Sequence, residues 1–321
     1  MIPYFLLYII LVASHLISNK LFDDEAKIKK IICITGFICV FALLALRHES
    51  LGVDLDYRSP FGYLGSFDTL NSYSWKTIIT LDHYLNYEKG YIIFNKIVGS
   101  IFNNRQFFMA ICGLVTIAPI SFLIYKNSRL ALLSWVVLFA LPAFFMIFTG
   151  LRQSIAIAIT VCAVYFIDKR KWIPFVAMVY FASLFHYTAI VFLIAYPVYW
   201  IKLNNNTVKI ILIMAIPCVY LLRNPLFSVL SQLLKEDAAI ADTGGGMLFI
   251  VFICVYIFMI FWGREKDDKT NGCINLFYLA CICQAFSNIN QGALRVGFYF
   301  MIYLIIALPN CIYGFKENNT V

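Results

Sequence analysis

Long apolar runs alternate with short polar stretches along the chain. Apolar residues gather near 2–18, 31–46, 105–125, 130–149, 154–167, 172–201, 208–222, 247–262, 273–290 and 296–315, most of them near the ~20 residues that cross a bilayer as a helix. The pattern predicts an all-α polytopic integral membrane protein, a bundle of about ten or eleven transmembrane helices forming one transmembrane domain over residues 1–321. The first run has no basic residue before it and no small-residue cleavage site after it, so it reads as a retained first span.

The polar stretches between runs carry the orientation signal. Lys20, Lys27, Lys29 and Lys30, then Lys126 and Arg129, then Lys169, Arg170 and Lys171, then Lys202 and Lys209, then Arg264, Lys266 and Lys269 lie in short connections. The positive-inside rule places those connections in the cytoplasm. The run from Trp172 to Ile201 then has basic residues at both ends and must start and finish inside. It reads as a hairpin of two short helices, with His186, its only strongly polar position, at the turn. A single long tilted helix is the competing reading.

Two segments then project outward, residues 47–105 and 223–246. The first is rich in Tyr, Ser, Asp and Gly, and its Glu88 to Phe102 portion is amphipathic enough for an interfacial or re-entrant helix. The second ends in Gly244-Gly245-Gly246, which suits a hinge. Segments of this size are where a substrate site is built.

Composition strengthens the membrane reading. Of 321 residues 62% are apolar and 13% charged, against about a quarter charged in soluble domains. The net charge of +8 sits at helix ends without interleaved aromatics, so no nucleic-acid partner is expected. Most of the ten cysteines lie inside apolar runs as small hydrophobes, and the single Cys281/Cys283 pair lacks the second pair of a zinc site. No phosphate-binding glycine loop, G-x-S-x-G or H-E-x-x-H pattern occurs, and no metal or other cofactor is expected.

The informative charges are those on the outer side: Arg47, Asp54, Asp56, Glu88, Arg152, His186, Arg223 and Arg295. A guanidinium offers a planar fork matched to phosphate oxygens, so converging arginines form a pyrophosphate site. Each can equally snorkel to lipid headgroups or pair with Asp54, Asp56 or Glu88. His186 can take a proton from a sugar hydroxyl or tie the hairpin turn. The acids are candidates for a base, for ligands of sugar hydroxyls or for arginine partners.

These residues resemble a known family. Arg47-His48-Glu49-Ser50-Leu51-Gly52-Val53-Asp54 with Tyr57 is similar to the R-x(4)-G-x-D-x-x-Y signature of EpsG-type proteins, a branch of the Wzy-like O-antigen and exopolysaccharide polymerases. Glu88-Lys89-Gly90-Tyr91, Gly150-Leu151-Arg152-Gln153-Ser154, Phe185-His186-Tyr187, and Arg295 with Tyr299 and Pro309 resemble its later elements in the same order. This chain adds a second acid at Asp56 and a long 205–246 region.

The resemblance implies a metal-independent glycosyltransferase of the bacterial inner membrane with its active site on the periplasmic or outer face. Such an enzyme moves a growing glycan from undecaprenyl pyrophosphate onto another lipid-linked repeat. Its implied catalytic residues are His186, Asp54 and Glu88, and its implied substrate-binding residues are Arg47, Arg152, Gln153, Arg295 and Tyr57. Its implied partners are the undecaprenyl-pyrophosphate-linked oligosaccharide as donor and acceptor, membrane lipids and a chain-length regulator protein. A flippase of lipid-linked glycans and an outer-face acyltransferase are the alternatives. The first wants cations inside the bundle and the second a histidine reachable from the cytoplasm.

Overall fold

The computed structural model describes residues 2–56, 58–81, 84–203, 205–234, 246–263 and 267–317. Tyr57, Arg264, Lys266, Gly244 and Gly245 lie outside them. The described residues are helical and divide into two compact units, Met1–Asn127 with Ala131–Leu193, and Ser128–Leu130 with Ile194–Val321.

The first unit runs α1 (Ile2–Leu21), α2 (Glu25–Ala45), a 3-10 turn (Val53–Leu55), α3 (Tyr63–Ser72), α4 (Trp75–Thr80), α5 (Lys89–Ile101), α6 (Arg105–Asn127), α7 (Ala131–Ala140), α8 (Pro142–Thr149), α9 (Leu151–Asp168) and α10 (Trp172–Ser183). Then comes a 3-10 helix, Tyr187–Ile194. The second unit holds α11 (Ala195–Tyr199), α12 (Asn206–Leu221), α13 (Arg223–Leu234), α14 (Gly246–Phe261), α15 (Asp268–Ala285), α16 (Gln291–Met301) and α17 (Leu304–Glu317).

Among these, α2, α6 and α9 are each long and apolar enough to cross a membrane. Three bent pairs, α7 with α8, α12 with α13 and α16 with α17, qualify together. Pro142 explains the first bend of 69°, because proline opens a helix at its first position but cannot continue one. Shorter apolar helices, including α1, α10 and α14, account for other apolar runs. The protein is thus an all-α, multi-pass membrane protein.

Local chemistry fixes the ends. Asp24 starts α2 by accepting hydrogen bonds from the N–H groups of Ala26 (2.9 Å) and Lys27 (3.3 Å), and Asp267 starts α15 by accepting from Thr270 N–H (2.7 Å). In the second unit α15 is the central element, with Phe277, Ala280 and Cys281 fully buried. Its Asn275 side chain donates to the carbonyls of Tyr199 (3.1 Å) and Ile201 (2.7 Å), which ties α11 to it.

Within the first unit, the run that begins at Trp172 folds back before Leu193. α10 stops at Ser183, the N–H groups of Phe185 and His186 both return to the Ala182 carbonyl, and the 3-10 helix restarts at Tyr187. The rings of Phe175 and Phe192 lie 6.1 Å apart, whereas a straight helix would separate them by about 25 Å.

The segment 47–105, expected as a long loop with one helix, carries three. Its expected helix is α5, whose Tyr91, Ile92, Asn95 and Val98 form the buried face. α3 and α4 end on lysine side chains. Lys96 Nζ donates to the carbonyls of Asn71 and Tyr73, and Lys89 Nζ to those of Ile78, Ile79 and Leu81. Cations at helix C-termini satisfy the unpaired carbonyls and complement the helix dipole. Such short helices cannot be read from propensity alone.

Candidate functional site

The site is built where three distant segments of the first unit meet: the start of α5, the start of α9 and the break after α10. Glu88 is the residue before α5. Gly90, two residues on, is where the break after α10 comes closest, and the Tyr91 N–H donates to the Leu184 carbonyl at 3.2 Å. A Cβ on Gly90 would lie 2.7 Å from that carbonyl oxygen and 2.8 Å from the Leu184 Cβ. The E-x-G-Y spacing therefore reflects packing as well as chemistry. The acid and the glycine that lets its neighbour approach are parts of one device.

Both oxygens of Glu88 are engaged. Oε2 accepts from Arg152 Nη1 at 2.6 Å, and Oε1 accepts from the Tyr187 N–H at 2.9 Å. His186 Nδ1 stands 3.3 Å from Oε1, an ion-pair distance once the ring is protonated but not an aligned hydrogen bond. The three side chains are 13–16% exposed, so the cluster is screened from bulk water without being sealed. Burial pushes the Glu88 carboxyl up, but the His186 ring, the Arg152 charge and the Tyr187 N–H together hold it below its ordinary value.

Arg152 is held on several sides. Its Nη1 also donates to the Asn86 carbonyl at 2.6 Å, Tyr63 bonds its guanidinium, and the Tyr87 ring lies 4.6 Å beneath it. Its Nε is buried with no hydrogen-bond partner among the described residues. The Tyr87 hydroxyl is bonded by Ser66 Oγ at 3.1 Å, and burial pushes its pKa up to about 12, so the ring stays neutral. Sequence reasoning missed Tyr63 and Tyr87. Tyr87 adjoins Glu88 and was within reach of that motif, whereas nothing in the sequence marks Tyr63.

The remaining expected site residues are placed differently. Arg47 is buried, with its Nη1 donating to the Phe148 carbonyl at 2.6 Å and its guanidinium beside the Phe148 ring. Gly52, at φ +139°, lies against the same carbonyl, where a Cβ would be 2.9 Å from the oxygen. Arg47 and Gly52 thus grip the end of α8, two residues before Gly150 and the start of α9 that presents Arg152. Gln153 is buried at 4% exposure. Asp54 and Asp56 are exposed, and Asp56 accepts from the Arg58 N–H. In the second unit Arg295 is exposed on α16, and Arg223 donates to the Tyr220 carbonyl at 2.7 Å while stacking on that ring. Tyr57 lies outside the described residues.

The geometry can position an anion-binding guanidinium beside a histidine, both held by one carboxylate at the rim of an apolar helical unit. Together these features define a multi-pass membrane protein with a polar site where the first turn of an apolar helix, α9, meets the start of α5 and the break after α10. The family model described as EpsG family matches residues 30–320, nearly the whole chain. The chain belongs to the EpsG family, which points to a polysaccharide-polymerase or related glycosyltransferase role. No curated protein and no solved structure matches the chain.

Proposed function

We propose that the protein is a glycan polymerase that transfers a growing saccharide from undecaprenyl pyrophosphate onto a lipid-linked repeat unit at the outer face of the bacterial inner membrane. The observation that carries this reading is the convergence of Arg152, Glu88 and His186 from segments far apart in the chain. In the reaction, a hydroxyl oxygen of the acceptor sugar forms a bond to the donor's anomeric carbon. The bond from that carbon to the phosphate oxygen breaks, and its electron pair leaves with the pyrophosphate.

Arg152 is assigned to the pyrophosphate. Its Nη1 is committed to Glu88 and Asn86, while the side chain as a whole keeps 16% of its surface exposed and can meet an anion there. A fixed guanidinium near a low-dielectric boundary stabilises the charge that develops on the leaving group. His186 is assigned as the base. With Nδ1 turned to Glu88, the ring's Nε2 is the nitrogen left to receive the acceptor's proton, and Glu88 stabilises the imidazolium that results. Glu88 then acts as the positioning group of the pair and not as the base, and the exposed Asp54 takes no part in the proton transfer.

The test is purified full-length protein mixed with a synthetic undecaprenyl-pyrophosphate-linked repeat, followed by gel separation of the glycans. A ladder of products supports the reading. Unchanged repeats that are carried across a vesicle membrane would instead assign the chain to transport.

A further inference from the structure

A second site lies away from the polar cluster and is independent of the polymerase reading. α2 and α6 pack side by side and leave between them a cavity of about 470 Å³, within the ~300–1,000 Å³ typical of ligand sites. Its walls include Lys30, Ile34 and Phe37 of α2 and Ala118, Phe122 and Tyr125 of α6. Lining positions recur at three- and four-residue steps on both helices, so the cavity is a groove running along them. From Lys30 to Phe37 it extends about 10 Å.

The groove has two unlike ends. Towards Phe37 and Ala118 it is apolar, and Ser121, its wall hydroxyl, is turned into the Cys33 carbonyl at 3.4 Å. At the other end lysines gather. Lys30 lines the groove itself, Lys126 Nζ lies 5.7 Å from the rings of both Phe122 and Tyr125, and Lys29 Nζ lies 6.0 Å from the Tyr125 ring. The acids before and at the start of α2 are Asp23, Asp24 and Glu25, and the Asp24 carboxylate is taken up by the N–H groups of Ala26 and Lys27. Ile34 and Phe122 are 48% and 61% exposed, so the apolar wall is open to its surroundings along a helix long enough to cross a membrane.

An apolar channel with a cationic mouth fits an amphiphile with one anionic head, and basic pockets between membrane helices select acidic headgroups. We infer that this groove holds an anionic glycerophospholipid, with one acyl chain along Ile34, Phe37 and Phe122 and its phosphate at Lys30 and Lys126.

The experiment places the full chain in nanodiscs of equimolar phosphatidylglycerol and phosphatidylcholine and counts the retained lipids by native mass spectrometry. The wild type should retain phosphatidylglycerol in preference. Lys30→Gln and Lys126→Gln should each cut that preference by on the order of fivefold, the fold-change that corresponds to about 1 kcal/mol per lysine near a lipid surface. Lys30→Arg should keep it, and Ala118→Trp, which fills the groove, should release the lipid with the lysines intact. Melting temperature and elution profile confirm that each variant is folded. Equal retention of the two lipids by the wild type, or a preference that survives both glutamine changes, overturns the inference. Displacement of phosphatidylglycerol by a polyprenyl phosphate overturns the assigned occupant.

Discussion

Replacing Glu88 with glutamine keeps the shape of the side chain and removes its charge. In the wild type both carboxylate oxygens face donors, Arg152 Nη1 at 2.6 Å and the Tyr187 N–H at 2.9 Å. A glutamine must turn its NH₂ towards one of them, so one bond is lost and the Arg152 charge is left uncompensated. A hydrogen bond to a charged group contributes about 1.5–3 kcal/mol. A fully buried pair broken on one side costs about 3–5 kcal/mol, and the partial exposure of this pair lowers that figure. The expected loss is about 2–3 kcal/mol. At roughly 2–4 °C per kcal/mol for a unit of this size, Glu88→Gln should melt about 4–12 °C below the wild type.

The pH dependence of that difference is a second readout. The folded-state pKa of Glu88 is depressed, so its stabilisation is fully present above the ordinary carboxylate value of about 4.3. It disappears only as pH falls through the lower folded value. The part of the wild-type advantage over Glu88→Gln that comes from the Glu88–Arg152 pair should therefore hold from neutral pH to about 5 and shrink at more acidic pH. Thermal unfolding in detergent, followed by intrinsic fluorescence across that range, measures both quantities. Equal melting temperatures at neutral pH would refute the reasoning, because they would mean that Glu88 holds neither partner.

Three further outcomes follow from the same geometry. Gly90→Ala drives a methyl group into the Leu184 carbonyl and should destabilise the protein by about 1–3 kcal/mol while separating Glu88 from His186, with loss of polymer at matched protein levels. Arg152→Ala should slow polymerisation by on the order of a hundredfold, and Arg152→Lys, which keeps the charge without the planar fork, should fall between it and the wild type. Product chain length read on a gel checks both, and wild-type chains from Arg152→Lys would leave Arg152 as the ion-pair partner of Glu88 without a part in binding pyrophosphate. Reporters fused after Lys171 and after Lys202 should both report the cytoplasm and one at His186 the outside, whereas a shared side for the last two would remove the hairpin.

The parts of this picture that the sequence revealed are those in which a rare residue interrupts a strong pattern. Glu88, Arg152 and His186 stand out because charge is scarce in this chain, and the turn after α10 was legible because the apolar run that begins at Trp172 is too long for one span. Their convergence was not legible. It depends on the backbone contact at Gly90 and Leu184, which joins residues about ninety positions apart, and on a turn that brings Asn86 and Tyr87 beneath Arg152. The role of Arg47 was equally hidden. A guanidinium bonded to a buried carbonyl and one facing a phosphate have the same sequence signature, and only the position of Phe148 separates them. The helices α3 and α4 escaped notice because lysines from α5 complete them, a non-local source that no local pattern reports.

The most direct test of the central claim is the rate of undecaprenyl pyrophosphate release by purified wild-type protein and by His186→Gln, with one synthetic lipid-linked repeat as both donor and acceptor. Glutamine keeps a hydrogen-bonding side chain and cannot accept a proton near neutral pH. The wild type should release one undecaprenyl pyrophosphate for each linkage formed. His186→Gln, melting as the wild type does, should release it on the order of a hundredfold or more slowly, the range that a general base contributes. Release at the wild-type rate from folded His186→Gln would contradict the account, and so would a wild-type protein that releases none.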